Sequence, residues 1–77
     1  MVEMEKALIL VNLTSRYPGG LPDMIKKIKG VTDAEFIYGP YDLYAVAKTG
    51  TKEEMREIVL KLREMDGIQT TLTCHIM

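Results

Sequence analysis

One pattern of strand, helix and strand occurs twice along this chain, and this repetition constrains the fold more than any other feature. The first copy has an apolar run over residues 8–13, an amphipathic helix that begins at Leu21, and an alternating strand that follows Gly30. The second copy has a strand over residues 41–48, another amphipathic helix, and a Thr-rich final strand that follows Gly67. The two copies align when the sequence is shifted so that Gly30 falls on Gly67. This alignment predicts two equivalent units within one fold.

Both predicted helices carry the signals that start and end a helix. In the first, apolar residues recur at helical spacing and Pro22 suits the first turn. In the second, Thr51 and Glu54 form a capping box before the apolar stripe begins. We expect the methionines of both stripes to fill the core. The stripes consist of Leu21, Met24, Ile25 and Ile28 in the first helix, and of Met55, Ile58, Val59, Leu62 and Met65 in the second.

The element order βαββαβ predicts a ferredoxin-like α+β fold. In this fold, right-handed crossovers place both helices on one face of a four-stranded antiparallel sheet, and the first and third strands are central. Both of these strands are apolar on two faces: Ala7, Ile9 and Val11 alternate with Leu8 and Leu10, for example. Since the helices cover only one face, we predict a homodimer in which two sheets pack open face to open face.

Composition limits the classes of function. A chain of 77 residues forms one small domain, residues 1–77, and its 47% hydrophobic residues supply surface for self-association. Ten Lys and Arg nearly balance eleven Asp and Glu without a basic cluster, which argues against direct nucleic-acid binding. We find no signal peptide or membrane-spanning run, and with a single cysteine we predict a cytoplasmic protein. Few side-chain amides and many charges are typical of a thermophile.

The sequence lacks the motifs of the common enzyme classes, and we predict that the protein is not an enzyme. His75, the only histidine, is next to Cys74, but neighbours on a strand point to opposite faces and do not form a nucleophile and base pair. We expect Cys74 to be a small buried residue, and we expect no metal or cofactor. His75 has two interpretations: a partly buried polar residue at an interface, or a pH-sensitive residue that lines a ligand site.

Two of the connections between predicted strands and helices contain residues that suit ligand binding. The loop "TSRYPGG", residues 14–20, offers hydroxyl and glycine N–H groups to an anion at a helix N-terminus, or is only a connecting loop. The hairpin "FIYGPYDLYAVA" contains a first strand that we expect to end at Gly39 and a second that begins near Tyr41. Its single acid, Asp42, either caps its own backbone, as Asp often does in turns, or faces a ligand.

The order of these motifs resembles the effector-binding domain of the Lrp/AsnC transcription regulators, known as the domain for regulation of amino acid metabolism (RAM). That domain shows a helix ending in Gly-Val, a strand, a Gly-x-Tyr-Asp turn, a strand and a helix, and then Gly-Val before a Thr-rich strand. Full regulators also carry an N-terminal helix-turn-helix, which this chain lacks, so we expect a stand-alone effector domain without direct DNA binding. The likeness covers residues 5–77, and the matching positions are Gly30-Val31, Gly39-Pro40-Tyr41-Asp42, Gly67-Ile68 and Thr70-Thr71-Leu72-Thr73.

The resemblance implies a module for small-molecule binding and oligomerisation that senses a free amino acid and modulates transcription regulators. It also implies a sheet-to-sheet dimer, often a ring of four dimers with effectors bound where dimers meet, and co-assembly with full-length regulators of the family. The glycine of the turn admits a carboxylate to backbone N–H groups, and the Asp accepts from an α-ammonium group. The ligand-binding residues predicted on this basis are Gly39, Tyr41, Asp42, Thr71 and Thr73.

Three alternatives share this topology or a related one. A small dimeric enzyme of the α/β-barrel type, such as a monooxygenase-like protein, works in the cavity between helices and sheet. An ACT-type amino-acid domain places its effector elsewhere and lacks the Gly-x-Tyr-Asp turn. An RNA-binding sheet requires aromatic residues on its central strands to stack on bases, and Tyr44 is the only one there, so this alternative is set aside.

Overall fold

A computed structural model describes residues 4–77, and it contains six elements. They are β1 (Glu5–Leu13), α1 (Leu21–Lys26), β2 (Val31–Phe36), β3 (Leu43–Thr49), α2 (Lys52–Glu64) and β4 (Ile68–His75). The strands form one antiparallel sheet in the order β2-β3-β1-β4. The predicted ferredoxin-like α+β fold is therefore confirmed, and β1 and β3 are the central strands, as their apolar patterns indicated.

The core lies between the two helices and the face of the sheet that they cover. Odd-numbered residues of β1 and β3 point toward the helices, and Ile9, for example, pairs with Ala45 across the two strands. Alanines at this face leave room for larger helix side chains, each of which contributes about 1.5–3 kcal/mol when fully buried. The helices supply Leu21 and Ile25 from α1 and Met55, Ile58 and Leu62 from α2.

The backbone shows the internal repeat directly. Gly30 and Gly67 follow α1 and α2 with positive φ angles of +100° and +94°, which L-residues rarely adopt. In both copies, the residue after the glycine donates its N–H to the carbonyl oxygen of the residue two places before that glycine. Strands β2 and β4 begin immediately after these glycines. The same turn therefore redirects the chain from helix to edge strand in each copy.

The helix ends follow their sequence signals, with one exception. Thr51 accepts a hydrogen bond from the Glu54 N–H at 3.1 Å and its hydroxyl donates to Glu54 Oε1 at 3.1 Å, so the predicted cap of α2 is confirmed. Helix α1 has only six residues, and Leu21 and Ile25 are its buried residues. Met24 is consequently exposed, and its predicted place in the core is wrong. Neither helix of the described chain is long and apolar enough to cross a bilayer.

The uncovered face of the sheet carries apolar side chains, as predicted. Six of them form two rows across β3, β1 and β4, and the four on the central strands are already half-buried in the single chain. An apolar surface of this kind on a sheet is typical of an interface. We call it the open-face patch: Tyr44, Leu10 and Leu72 in one row, and Val46, Leu8 and Cys74 in the other.

Cys74 differs from its predicted environment. It is exposed, so the expectation of a buried residue is wrong for the single chain. The reason is its position: β4 is an edge strand, and Cys74 pairs with Leu8 on the face that no helix covers. His75 pairs with Ala7 on the covered face, so the prediction that His75 and Cys74 point to opposite sides is confirmed.

The beginning of β4 departs from simple alternation. A shift in register between Asn12 and Leu13 places Ile68 opposite Leu13, and Ile68 packs against the core. Simple alternation along β4 would place Ile68 on the same face as Leu72, but an irregularity of this kind reverses the side on which a residue points. The irregularity ends before Thr71, which pairs regularly with Val11.

Candidate functional site

The hairpin corner between β2 and β3 is wider than the sequence pattern predicts. Strand β2 ends before Gly39 and β3 begins after Tyr41, whereas these residues were the predicted strand ends. The backbone at Gly39 explains the difference, because its φ of +142° does not continue a strand. Ile37 donates its N–H to the carbonyl oxygen of Asp42 at 3.0 Å and closes the corner.

Asp42 fastens this corner to the end of β1. Its backbone N–H donates to the Val11 carbonyl oxygen at 2.9 Å, and its carboxylate Oδ2 accepts from the Leu13 N–H at 2.8 Å. The side chain therefore caps a neighbouring strand and not its own turn, which corrects the backbone-capping interpretation. Within residues 4–77 the second oxygen, Oδ1, accepts no hydrogen bond. Asp42 is thus fixed by one oxygen and has a second acceptor available.

A cavity of about 360 Å³ lies beside Asp42. Its walls come from the end of β1, the loop that follows β1, and the start of the hairpin corner. Tyr17 and Phe36 form an aromatic wall, with ring centroids 5.7 Å apart and ring planes tilted by 51°. We call this cavity the Asp42 pocket; it is lined by Leu13, Thr14, Ser15, Tyr17, Phe36, Ile37 and Asp42.

Thr71 and Thr73 lie elsewhere, on the edge strand β4. They pair with Val11 and Ile9 and therefore point to the covered face of the sheet. Thr73 lines a groove of about 950 Å³ that combines an apolar floor with basic side chains. We call it the α2/β4 groove; it is lined by Met4, Glu5, Lys52, Met55, Arg56, Val59, Thr73, His75, Ile76 and Met77.

The predicted ligand-binding residues divide into two groups within one protomer. Gly39, Tyr41 and Asp42 belong to the hairpin corner, and of these only Asp42 lines the Asp42 pocket. Thr73 lines the α2/β4 groove, and Thr71 is its half-buried neighbour on β4. The fold brings Asp42 together with the loop after β1 and not with the threonines. The ligand-binding roles of all five residues stay a prediction.

The loop residues Thr14, Ser15 and Tyr17 gain a new partner in the structure. The sequence suggested that this loop offers N–H groups to an anion, but its side chains share a cavity with the carboxylate of Asp42. Tyr17 and Phe36 were not predicted as site residues. They lie in separate parts of the sequence, and only the folded chain brings their rings into contact. The one sequence signal is that each aromatic residue stands beside a turn that contains Pro and Gly.

Basic residues of the α2/β4 groove were also missed. Lys52 and Arg56 are one helical turn apart at the start of α2, so they project from the same side of the helix. With His75 they give the groove a basic rim, and Glu5 is its one acid. Within the part of the chain that the structure describes, no group of three or more His, Cys, Asp or Glu is placed to hold a metal ion.

A polar contact borders the open-face patch. The Tyr44 hydroxyl donates to Asp33 Oδ2 at 2.6 Å, and Asp33 Oδ1 accepts from the Ala34 N–H at 2.9 Å. The hydrogen bond to Asp33 raises the pKa of Tyr44 above its usual value, and burial and the charges of Asp33 and Glu35 act in the same direction. This contact holds the tyrosine ring in place beside the apolar rows.

We expect Asp33→Asn to lower the pKa of Tyr44 toward that of an ordinary tyrosine, because the carboxylate that favours the protonated phenol is removed. The absorbance of the phenolate during a pH titration measures this pKa. The titration of Tyr44→Phe gives the absorbance of the other tyrosines, which is subtracted. Since folding raises this pKa, the contact stabilises the fold fully below the unfolded-state pKa of about 10. The contribution is lost as the pH rises through the folded-state pKa. An unchanged Tyr44 pKa in Asp33→Asn contradicts this assignment.

The fold is similar to solved structures over almost the whole chain. It matches FFRP-DM1 with a TM-score of 0.85 and 26% identity, over 95% of this chain and 99% of that one. It matches AsnC of E. coli with a TM-score of 0.82 and 22% identity, over 95% of this chain and 50% of that one. The chain is similar in fold to both proteins. The resemblance that the turn and the Thr-rich strand indicated is thereby confirmed.

The chain spans about half the length of AsnC. It is also similar to the transcriptional regulator NMB0573 of Neisseria meningitidis, solved as a complex with L-Met, with a TM-score of 0.81 and 17% identity over 95% of this chain and 49% of that one. No protein-family model matches the chain, and no curated protein sequence does.

Proposed function

We propose that this Lrp/AsnC-like domain binds a free amino acid and, as a homo-oligomer, modulates transcription regulators without binding DNA itself. The observation that carries the proposal is the carboxylate of Asp42, which the Leu13 N–H fixes at 2.8 Å while Oδ1 stays available beside a small cavity. An α-ammonium group forms a charge-assisted hydrogen bond with such an oxygen. Because the carboxylate is already oriented, little side-chain entropy is lost on binding.

The distribution of charge supports a ligand that carries both signs. Asp42 is the one formally charged residue that lines the Asp42 pocket, whereas Lys52 and Arg56 outnumber Glu5 in the α2/β4 groove beside Thr73. A zwitterionic amino acid presents an ammonium group to the first kind of surface and a carboxylate to the second. The two surfaces are separate within one protomer. A single site therefore combines them only where two protomers meet.

The structural neighbours support the same proposal. NMB0573, whose fold the chain shares, is a transcriptional regulator that was solved with L-Met. FFRP-DM1 shares the fold over 99% of its length. A regulator-like fold with an acid fixed at the Gly-x-Tyr-Asp corner favours a sensor over the alternative of a small dimeric enzyme.

We further propose that the open-face patch is the dimer interface. Leu8, Leu10, Tyr44 and Val46 lie on the central strands, and Leu72 extends the apolar surface onto the edge strand. In the proposed dimer, a two-fold axis brings two copies of this surface together. Full-length regulators of the same family offer a matching surface, so mixed assemblies and rings of several dimers are consistent with this interface.

The absence of direct DNA binding is supported by the arrangement of charge. The chain has a net charge of −1 at neutral pH. Lys26 on α1 is paired with Glu35 on β2 at 3.3 Å, so part of the basic surface of α1 is neutralised. Proteins that contact phosphates present a contiguous basic face, which is how they release counterions. The proposed regulatory effect therefore acts through a protein partner.

The first test is a thermal-shift screen of the twenty amino acids, followed by calorimetry on those that stabilise the protein. A ligand at 100 times its dissociation constant adds about 2.7 kcal/mol to the free energy of unfolding. We expect Asp42→Asn to weaken binding of the best amino acid at least about tenfold, because it removes the charge that pairs with the ammonium group. The Asn carbonyl oxygen still accepts the Leu13 N–H, so we expect the melting temperature to stay nearly unchanged.

Asp42→Ala and Asp66→Asn complete this experiment. The alanine variant loses the charge and the hydrogen bond to Leu13, so we expect lost binding and a destabilisation of about 1–2 kcal/mol. Asp66 is exposed, so Asp66→Asn is a matched charge change that is expected to leave binding unchanged. Binding of equal affinity in wild type and Asp42→Asn rules out the sensor role of Asp42, and a screen without any shift rules out the amino-acid ligand.

A further inference from the structure

We propose that the Asp42 pocket is a site for organic ammonium groups, in which the aromatic pair of Tyr17 and Phe36 selects a small amine that carries an apolar chain. This inference rests on the proposed function for the location of the site. It goes further by naming the group that enters the pocket and the two residues that set its specificity. Three features of the pocket support an ammonium ligand: the charge of the lining, the aromatic wall and the size of the cavity.

The charge of the lining favours a cation. Among the lining residues, Asp42 is the one that carries a formal charge at neutral pH, and the others are hydroxyl, aromatic or aliphatic side chains. One carboxylate oxygen is occupied by the Leu13 N–H, and Oδ1 is the strongest acceptor that is left. Thr14 and Ser15 add hydroxyl oxygens that accept from further N–H groups of an ammonium ion.

The aromatic wall strengthens this preference. Tyr17 and Phe36 are 47% and 43% exposed, so both rings are accessible to a ligand. Their ring centroids are 5.7 Å apart, and both residues line the Asp42 pocket. The negative face of an aromatic ring attracts an ammonium group within about 6 Å, and it repels a carboxylate. The same rings contact the apolar chain of an amine.

The fold fixes the backbone positions that carry both rings. Phe36 is the last residue of β2 and pairs with the buried Leu43. Tyr17 lies against Gly67, where an added Cβ would be 2.5 Å from the Tyr17 Cβ. The Thr14 N–H donates to the Gly67 carbonyl oxygen at 2.8 Å and fixes the loop on the same side. The backbone therefore needs no rearrangement for both rings to contact a ligand.

The size of the cavity limits the ligand. A volume of about 360 Å³ is near the lower end of the range of roughly 300–1,000 Å³ for small-molecule sites. It accommodates an ammonium group with a short aliphatic chain and excludes a nucleotide or a large cofactor. The pocket thus fits the amine end of a small metabolite, with any further group of that metabolite lying outside the pocket.

A pair of matched ligands tests the inference. Butylamine and butyrate have the same aliphatic chain and opposite charges, and each is titrated into isotope-labelled protein while the Leu13 amide resonance is followed. This amide donates directly to Asp42 and reports on its carboxylate. We expect saturable shifts with butylamine and none with butyrate. Equal responses to the two ligands, or no response to butylamine, overturn the proposal.

Variants test the two specificity residues. Phe36→Leu keeps an apolar side chain but removes the ring, and we expect it to weaken butylamine binding by roughly threefold to tenfold. Asp42→Asn, which keeps the acceptor for Leu13, is expected to weaken it by about tenfold or more. Leu60→Ala, an exposed change on α2, is the control that leaves binding unchanged. Wild-type affinity in Phe36→Leu, with a wild-type melting temperature, overturns the role of the aromatic wall.

This experiment also separates the inference from the proposed function. Binding of amino acids without binding of butylamine overturns the ammonium pocket and leaves the amino-acid sensor in place. Binding of butylamine when no amino acid binds supports the ammonium pocket and removes the amino acid as the effector. If Phe36→Leu fails to fold, Tyr17→Leu removes the other ring and is subject to the same expectation for butylamine affinity.

Discussion

We expect Gly67→Ala to lower the free energy of unfolding by roughly 2–5 kcal/mol, a large share of the stability of a small domain. Two causes act together at this position. The φ of +94° strains any residue with a Cβ. An added Cβ would also lie 2.5 Å from the Tyr17 Cβ and 3.0 Å from its Cα, and backbone at such a distance has to move.

Two other glycines separate these causes. Gly39 has a φ of +142° but meets no atom within 4 Å, so Gly39→Ala introduces strain alone, about 1–2 kcal/mol. Gly19 has neither a positive φ nor a close contact, and Gly19→Ala is expected to be neutral or slightly stabilising. Urea denaturation of the three variants is expected to order them Gly67→Ala, Gly39→Ala, Gly19→Ala, from least to most stable.

The Gly67 variant also connects stability to the site. A Tyr17 displaced by the new Cβ no longer forms the aromatic wall with Phe36, so we expect Gly67→Ala to weaken ligand binding although Gly67 lines no part of the Asp42 pocket. A Gly67→Ala protein that is as stable as Gly39→Ala and binds ligand normally contradicts the close approach of the loop to this glycine.

The second large effect is expected from Leu10→Lys, which converts the proposed dimer into a monomer. Leu10 lies on β1 in the middle of the open-face patch, between Tyr44 and Leu72. A buried, unpaired ammonium group costs several kcal/mol, and the two-fold axis introduces it twice in each interface. We therefore expect the dimer dissociation constant to rise by roughly a thousandfold or more, as measured by sedimentation equilibrium.

Leu60→Lys is the matched control for this experiment. Leu60 lies on α2, away from the sheet, and is exposed, so the same substitution there is expected to leave the dimer intact. Circular dichroism checks that Leu10→Lys keeps its helices and strands, because the covered face of the sheet is unchanged. A strictly monomeric wild type at micromolar concentration, or a Leu10→Lys protein with the wild-type dissociation constant, contradicts the open-face dimer.

Most of the fold follows from local signals in the chain. The apolar periods located both helices and all four strands, and Thr51 with Glu54 marked the start of α2 because a cap is made within four residues. The matching turns at Gly30 and Gly67 were visible as a repeat for the same reason. Errors occurred at ends and edges: Met24 lies on a helix too short to bury it, and Cys74 lies on an edge strand.

The candidate site was only partly predictable. The Gly-x-Tyr-Asp corner was recognised because its residues are contiguous, and Asp42 does lie beside a cavity. Its partner Leu13 and the aromatic wall were not predicted, because the contacts join segments that are distant in the chain. Thr73 proved to be on a different surface from Asp42, since β4 and β3 flank β1 on opposite sides.

The sequence by itself determined the order of elements, the helix caps, the two helix-to-strand turns and the apolar character of both sheet faces, because each of these depends on neighbours along the chain or on simple periodicity. Only the tertiary structure decided what Asp42 holds, which loop shares its pocket, and that Thr71 and Thr73 face elsewhere. The physical reason is that strand order and register bring distant segments together, and no local pattern encodes which atoms then meet.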